Sequence, residues 1–261
     1  MKLYVINLKR SPKRLARLQT VFSKMGLDFT RVDAVDGQEL SASYCDAMTK
    51  EKKWEKPLTR GEVACFLSHK KALQKIADGD EEYAAIFEDD IVFSSDAKEF
   101  LLDRKWIPKS ADIIKIETDG KKVWLGPRKK INNEHNIARL KSRHIMAAAY
   151  IISQQAAKKL VKKMDNVTAP FDHFLFNPDY GVFENFEMWQ LDQAIAKQAG
   201  LKSTLEGARH QWEKKKKQNR KLSYTFKRET LRLFKRARTG IWGYSITLFT
   251  SDCWKRVKFK K

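Results

Sequence analysis

Tyr83-Ala84-Ala85-Ile86-Phe87-Glu88-Asp89-Asp90-Ile91-Val92-Phe93 is the stretch on which the reading of this chain turns. Its apolar opening, Tyr83 to Phe87, reads as a buried strand. Three carboxylates follow at once, and the chain then turns apolar again. Adjacent acids at a strand end repel one another, which raises their pKa values. Burying them is costly unless they are paired or bound to metal. A hard divalent cation, Mn²⁺ or Mg²⁺, relieves that repulsion with oxygen ligands and in turn holds a substrate phosphate. The plainer alternative is a polar strand-to-loop junction with solvated acids.

Upstream, Thr59-Arg60-Gly61-Glu62 is a capping-box pattern. It predicts a helix to about Ala77 with Val63, Phe66, Leu67, Leu73 and Ile76 facing inward. Residues 38–58 read as a surface loop. Further upstream, Lys2 to Leu8 reads as a first strand, and Ser11-Pro12 opens a helix with a proline at its first position. Leu15, Leu18, Phe22 and Met25 form that helix's apolar face, and Gly26 ends it. Phe29 to Val35, closed by Asp36-Gly37, is a second strand. Downstream, Ile113–Ile116 and Ile145–Ile152 read as strands, and Ser153 caps a helix carrying Leu160 and Val161. Residues 166–186 read as loops, and a helix is expected near Glu187–Gln198, closed by Gly200. The order predicts an α/β fold with a mixed, mostly parallel sheet over residues 1–212. A basic helical C-terminal extension, 213–261, follows.

The chain has 261 residues, 42% of them hydrophobic, enough for one large domain with a real core. Cys45, Cys65 and Cys253 form no CxxC pair, which argues against a disulfide framework or a zinc site and for a reducing compartment. The N-terminal apolar run is too short for a signal peptide, and no stretch reaches the roughly 18 apolar residues of a spanning helix. The net charge of +21 is unevenly spread: residues 213–261 hold 17 Lys and Arg against 3 Asp and Glu. There Phe226, Phe234, Trp242, Phe249 and Trp254 interleave with basic residues, a mixture suited to an anionic membrane surface. GxGxxG, GxxxxGK[ST] and GxSxG are all missing, which disfavours a Rossmann dehydrogenase, a P-loop enzyme and a serine hydrolase.

Several residues stand out as candidates, each with a plainer reading. Glu62 can close its own capping box. His69, mid-helix, can be a satisfied structural histidine. Arg10, Arg14 and Arg60 can be surface charges, yet each lies beside a predicted strand–helix junction, where α/β sheets bind phosphates. Asp172, in Pro170-Phe171-Asp172-His173, can be a loop turn or a general base for an acceptor hydroxyl. His210 can be exposed or a late metal ligand.

Taken in order, the motifs resemble glycosyltransferase family 25, the lipooligosaccharide biosynthesis glycosyltransferases. The carriers are Val5-Ile6-Asn7-Leu8 with Arg10 and Arg14; Val32-Asp33-Ala34-Val35-Asp36-Gly37; and Leu58-Thr59-Arg60-Gly61-Glu62-Val63-Ala64-Cys65-Phe66-Leu67-Ser68-His69. Ile86-Phe87-Glu88-Asp89-Asp90-Ile91, Ala148-Ala149-Tyr150-Ile151-Ile152-Ser153 and Pro170-Phe171-Asp172-His173 continue the series. The likeness spans about residues 1–200. It differs around Ala147-Ala148, where the family often has a Gly-Thr pair.

The resemblance implies a GT-A-like fold, a nucleotide-sugar donor and an inverting transfer. By it, Asp90 contacts the metal, and Glu88 or Asp89 lies nearer the ribose. Asn7, Leu8 and Arg14 lie by the base or phosphates, and Glu62 and His69 shape the site. The expected enzyme moves a galactose or glucose from a UDP-sugar to a hydroxyl of a lipooligosaccharide core, with Mn²⁺ or Mg²⁺. Asp172 is its base. Its donor-binding set is Asn7, Leu8, Arg10, Arg14, Arg60, Glu62, His69, Glu88 and Asp89, and its metal set is Asp90, Asp89 and His210. Its partners are a lipid-linked oligosaccharide and an anionic membrane surface on the cytoplasmic face of a bacterial inner membrane. No nucleic acid is expected. The competing readings are a basic nucleic-acid-binding protein and a membrane-surface adaptor without catalysis.

Overall fold

The structure is a computed structural model that describes residues 1–200 and 250–260, with Ser245 and Leu248. In chain order its first half holds β1 (Lys2–Asn7), α1 (Pro12–Met25), β2 (Thr30–Asp33), α2 (Ala42–Met48), α3 (Arg60–Ala77), β3 (Tyr83–Glu88), β4 (Ile91–Phe93), α4 (Ala97–Leu102) and β5 (Ile113–Lys115). Then come β6 (Lys122–Leu125), β7 (Lys129–Lys130), β8 (Asn136–Arg139), β9 (Ala149–Ser153), α5 (Gln154–Val161) and α6 (Phe171–Phe176). A short 3₁₀ turn, Phe183–Asn185, leads to β10 (Met188–Asp192), β11 (Ala196–Gln198) and β12 (Cys253–Arg256).

Eight strands form one sheet in the order β2-β1-β3-β9-β5-β10-β8-β7. Strands β1, β2 and β3 are mutually parallel, as are β5 and β10, while β8 and β9 run antiparallel to their neighbours. The expected mixed α/β architecture is therefore present. Alternation along each strand sends side chains to opposite faces, and both faces are covered. Tyr4, Ile6, Ala84, Ile86, Ile113 and Tyr150 pack against α3, α5 and α6. Leu3, Val5, Ala85, Phe87, Ile114 and Ile151 pack against α1 and α4.

Helix α1 is built as its residues dictate. Pro12 stands at its start, Leu18 and Phe22 are its buried residues, and Gly26 ends it at φ 62°, a left-handed conformation that costs glycine nothing. Phe22 stacks edge-on to Phe87 and Phe93 at 5.8 and 5.3 Å, which binds the helix to the strand pair that carries the acids.

Four expectations need correction. The helix expected near Glu187–Gln198 is two strands, β10 and β11. All five residues of β10 are buried between β5 and β8, and a short, fully buried run has no periodicity to separate strand from helix. The loop 38–58 contains α2, started by Ser41, whose hydroxyl accepts from the Tyr44 N–H at 3.1 Å. The loop 166–186 contains α6, held by the burial of Phe171, Phe174, Leu175 and Phe176. The strand expected from Ile145 begins at Ala149; Met146 before it takes φ 77°.

Of the expected 213–261 extension, only Ser245, Leu248 and 250–260 fall within the described residues, and the last of these segments returns to the domain. Strand β12 pairs antiparallel with β6, Val257 is fully buried, and the Thr118 hydroxyl donates to the Val257 carbonyl at 2.7 Å. Among the described residues no helix is long and apolar enough to cross a membrane.

Candidate active site

Because β1 and β3 are parallel, Asn7 and Glu88 come out at the same edge of the sheet. Carboxyl ends of parallel strands are where open α/β sheets bind ligands. Strand β9 is antiparallel to β3, so the residues entering it, Met146 and Ala147, reach that edge too. The first half of α3 and the start of α6 complete a cleft of about 910 Å³. Gly37 sits where the β2 loop meets α3: a Cβ there would lie 2.9 Å from the Arg60 carbonyl oxygen, so only glycine permits this approach.

Leu8, Arg10, Arg14, Arg60, Glu62, His69, Glu88, Asp89, Asp90 and Asp172 all line this cleft. Asn7 lies behind them, buried. His210 is outside the described residues.

The three acids do different things. Asp89 is spent on architecture: Asn7 Nδ2 donates to its Oδ2 at 2.7 Å, and Arg14 Nη1 to its Oδ1 at 3.0 Å. Arg17 donates to the carbonyls of Asp89 and Ile91 at 3.1 and 2.8 Å, which pins the same turn to α1. Each Asp89 oxygen thus already accepts one hydrogen bond, while the residue still lines the cleft. Asp90 differs. Among the described residues its buried Oδ1 has no hydrogen-bond partner, and burial, then the charges of Glu88 and Asp89, push the group up to about 7. Glu88 is likewise pushed up to about 7, by burial first and then by Asp172 and Asp89. An orphaned carboxylate oxygen beside a second strained acid is a donor set that a hard cation fits, since Mg²⁺-like ions use one or two carboxylates plus substrate phosphates.

Glu62 does close its own capping box. The Thr59 N–H and hydroxyl both donate to Glu62 Oε2, at 2.8 and 3.0 Å, while the Glu62 N–H returns to the Thr59 hydroxyl at 3.2 Å. His69 is fully buried and lies flat on Phe171, with ring centroids 3.9 Å apart. Its Nδ1 is 3.1 Å from the Tyr150 hydroxyl and its Nε2 is 3.3 Å from Glu88 Oε1. Burial lowers the imidazole to about 3, so it is neutral at ordinary pH. Asp172 accepts from the Met146 N–H at 3.3 Å and from the His173 N–H at 2.9 Å. Arg10 is paired with Asp36 at 2.5 Å on the outer rim.

Reasoning from sequence missed the buried pair that supports the cleft wall. Lys115 and Glu117 are both wholly buried, 2.9 Å apart. Lys115 also donates to the Met146 carbonyl, and Glu117 Oε1 accepts from the Ala148 N–H at 2.7 Å. This pair holds the 146–148 wall, including the positive φ of Met146, whose N–H donates to Asp172. A signal was available: in Ile113-Ile114-Lys115-Ile116-Glu117 the two charges stand two apart in an apolar strand, hence on one face. Removing one partner of a buried pair costs about 3–5 kcal/mol because the other charge is left uncompensated. Lys115→Met is therefore expected to lower urea-denaturation stability by that amount. Adding Glu117→Gln should restore part of it, and an undiminished single variant would dismiss the pair as a structural element.

Comparisons with known proteins agree with the motifs. The family model "Glycosyltransferase family 25 (LPS biosynthesis protein)" matches residues 1–175. The chain is 31% identical over 170 residues to the lacto-N-neotetraose biosynthesis glycosyltransferase LgtE of Neisseria meningitidis, covering 62% of this chain and 60% of that protein. It is 36% identical over 149 residues to the lipooligosaccharide biosynthesis protein lex-1 of Haemophilus influenzae, 53% of this chain and 49% of that protein. With lic2B of Haemophilus influenzae it shares 30% identity over 213 residues, 76% of each. The chain thus spans half to three-fifths of the first two relatives' length. The family match spans two-thirds of the chain and takes in the whole Thr59–Asp90 block and Asp172. The chain belongs to glycosyltransferase family 25.

Proposed function

We propose that this protein is a metal-dependent, inverting glycosyltransferase that moves a galactose or glucose from a UDP-sugar to a hydroxyl of a lipooligosaccharide acceptor. The observation that carries this reading is the meeting of Asp90, with its buried oxygen unpartnered among the described residues, and Asp172 in one cleft at the carboxyl edge of the sheet. The names of the lex-1 and lic2B relatives support the acceptor class.

In this reading Asp90, with Glu88 beside it, would hold Mn²⁺ or Mg²⁺, which supplies Lewis-acid neutralisation of the departing diphosphate. Asp89 keeps the acid turn locked to Asn7 and Arg14. Arg10 and Arg60, on the cleft wall, add positive potential where phosphate charge develops. Asp172 takes the proton of the acceptor hydroxyl as its oxygen bonds to the anomeric carbon and the bond from that carbon to the UDP oxygen breaks. One base suffices for a single displacement, unlike the two-carboxylate arrangement of hydrolases. A lipid-linked acceptor places the work at the cytoplasmic face of an inner membrane. There the Lys and Arg excess of 213–261 meets anionic headgroups, each basic residue contributing about 1 kcal/mol.

Purified full-length protein with a lipooligosaccharide acceptor is expected to release UDP from UDP-galactose or UDP-glucose when Mn²⁺ is present and to stop when it is chelated. Metal-independent release would remove the cation from the mechanism. Absence of release from both donors would remove the donor class.

A further inference from the structure

Cys65, His69 and Glu88 place one thiol sulfur, one imidazole nitrogen and one carboxylate oxygen within 4.8 Å of one another. Their arrangement follows from the secondary structure. Cys65 and His69 stand four apart in α3, so they share one face. Glu88, at the end of β3, meets that face from the sheet. We propose that these three side chains form a second cation site, selective for a thiophilic divalent ion such as Zn²⁺, that borders the oxygen-donor set at Asp90 and shares Glu88 with it.

Three features support it. Sulfur, imidazole and carboxylate together are the donor types of zinc, whereas Mg²⁺ and Mn²⁺ favour oxygen. The His69 Nε2 to Glu88 Oε1 separation is already 3.3 Å, the edge length of a tetrahedron whose metal–ligand distances are about 2.0–2.1 Å. The Cys65 sulfur lies within 4.8 Å of both atoms, so closing the remaining edges brings it nearer by about an ångström, given a zinc–sulfur distance of about 2.3 Å. The outer shell is also in place. Tyr150 lies 3.1 Å from His69 Nδ1, and an Nδ1–H donated to that hydroxyl leaves Nε2 as the ligand atom. Phe171, stacked on the ring, fixes its plane. The thiol need not be ionised beforehand, since a coordinating cysteine is deprotonated by the metal itself. Three protein ligands leave a fourth position open to the cleft that Cys65, His69 and Glu88 all line. The absence of a CxxC pair hides such a site from sequence, because its third ligand comes from 19 residues past His69.

The site shares Glu88 with the glycosyl-transfer reading, but its test uses no turnover and reads the thiolate, which that reading does not employ. Chelator-treated full-length protein is titrated with Co²⁺ alone. The expected result is a thiolate-to-cobalt charge-transfer band at one equivalent, removed by Zn²⁺ and untouched by excess Mg²⁺. Cys65→Ser should lose that band, while Cys45→Ser/Cys253→Ser should keep it. Tyr150→Phe should keep the band but weaken Co²⁺ binding about 10–100-fold, as loss of an outer-shell partner does. No band in the wild type, or an equal band in Cys65→Ser, overturns the proposal. Unchanged Co²⁺ affinity in Tyr150→Phe removes His69 as a ligand, and with it the site.

Discussion

Replacing Asp90 by alanine is expected to cut metal-supported UDP release by at least about 10²-fold in kcat, the scale of losing one directed electrostatic group from an active site. Asp90 is singled out among its neighbours by what surrounds it. Asp89 spends both oxygens on Asn7 and Arg14, and Glu88 faces His69, whereas Asp90 keeps a buried oxygen with no partner among the described residues. Asp90→Asn supplies a thermodynamic counterpart with the shape retained. An acid held up to about 7 keeps its proton in the fold at pH values where the unfolded chain, near 3.8, has released it. Its contribution therefore favours folding at low pH and is lost as pH rises through about 7. Asparagine does not titrate. The metal-free wild type should lose stability relative to Asp90→Asn as pH climbs from about 4 to about 7, a difference that cancels the opposing titration of His69. Mn²⁺ at a hundred times its Kd should return about 2.7 kcal/mol to the wild type and far less to the variant. Denaturation curves with and without Mn²⁺ measure both. Wild-type turnover in Asp90→Ala, or equal Mn²⁺ stabilisation of Asp90→Asn, would sink the assignment.

Asp172→Asn is expected to lower kcat by about 10²–10⁴-fold, the usual worth of a positioned general base, with the donor KM little changed. The split matters because Asp172 also has a structural task. It accepts two backbone N–H groups, from Met146 and His173, and asparagine can accept only one of them. A loss from misplacing the Met146 wall should raise the donor KM as well. A loss of the base alone should leave UDP binding and thermal stability near wild type. Steady-state kinetics with UDP titrations separates the two, and undiminished kcat would remove Asp172 as the base.

Much of the fold was legible because its signals are local. The Ser11-Pro12 start and Gly26 stop of α1 and the capping box of α3 are chemistry within four residues, and each stands where the sequence placed it. Strands β1, β2, β3 and β5 were readable from apolar runs bounded by polar residues. The misreadings share a cause. Strands β10 and β11 are short, so their state was decided by neighbours far along the chain. Gln190, in the middle of β10, is tolerated only because its amide donates to the carbonyls of Lys115, Glu117 and Leu191. Similarly, α6 sits in a stretch whose proline and asparagines resemble a loop, and it is held by the aromatic packing of Phe171 and Phe174 on Phe66.

By itself the sequence determined that three acids end a buried strand, that a capped helix and two arginine-bearing junctions accompany them, and that the order is α/β. Those are consequences of spacing and side-chain chemistry between near neighbours. Only the tertiary structure decided which acid is free. That choice depends on Asn7 and Arg14, which reach Asp89 from 82 and 75 residues away, and on the parallel pairing of β1 with β3 that brings them there. It likewise decided that Lys115 and Glu117 neutralise each other in support of the cleft wall and that Cys65, His69 and Glu88 converge. Desolvation and pairing are properties of a place in space, and no local pattern encodes them.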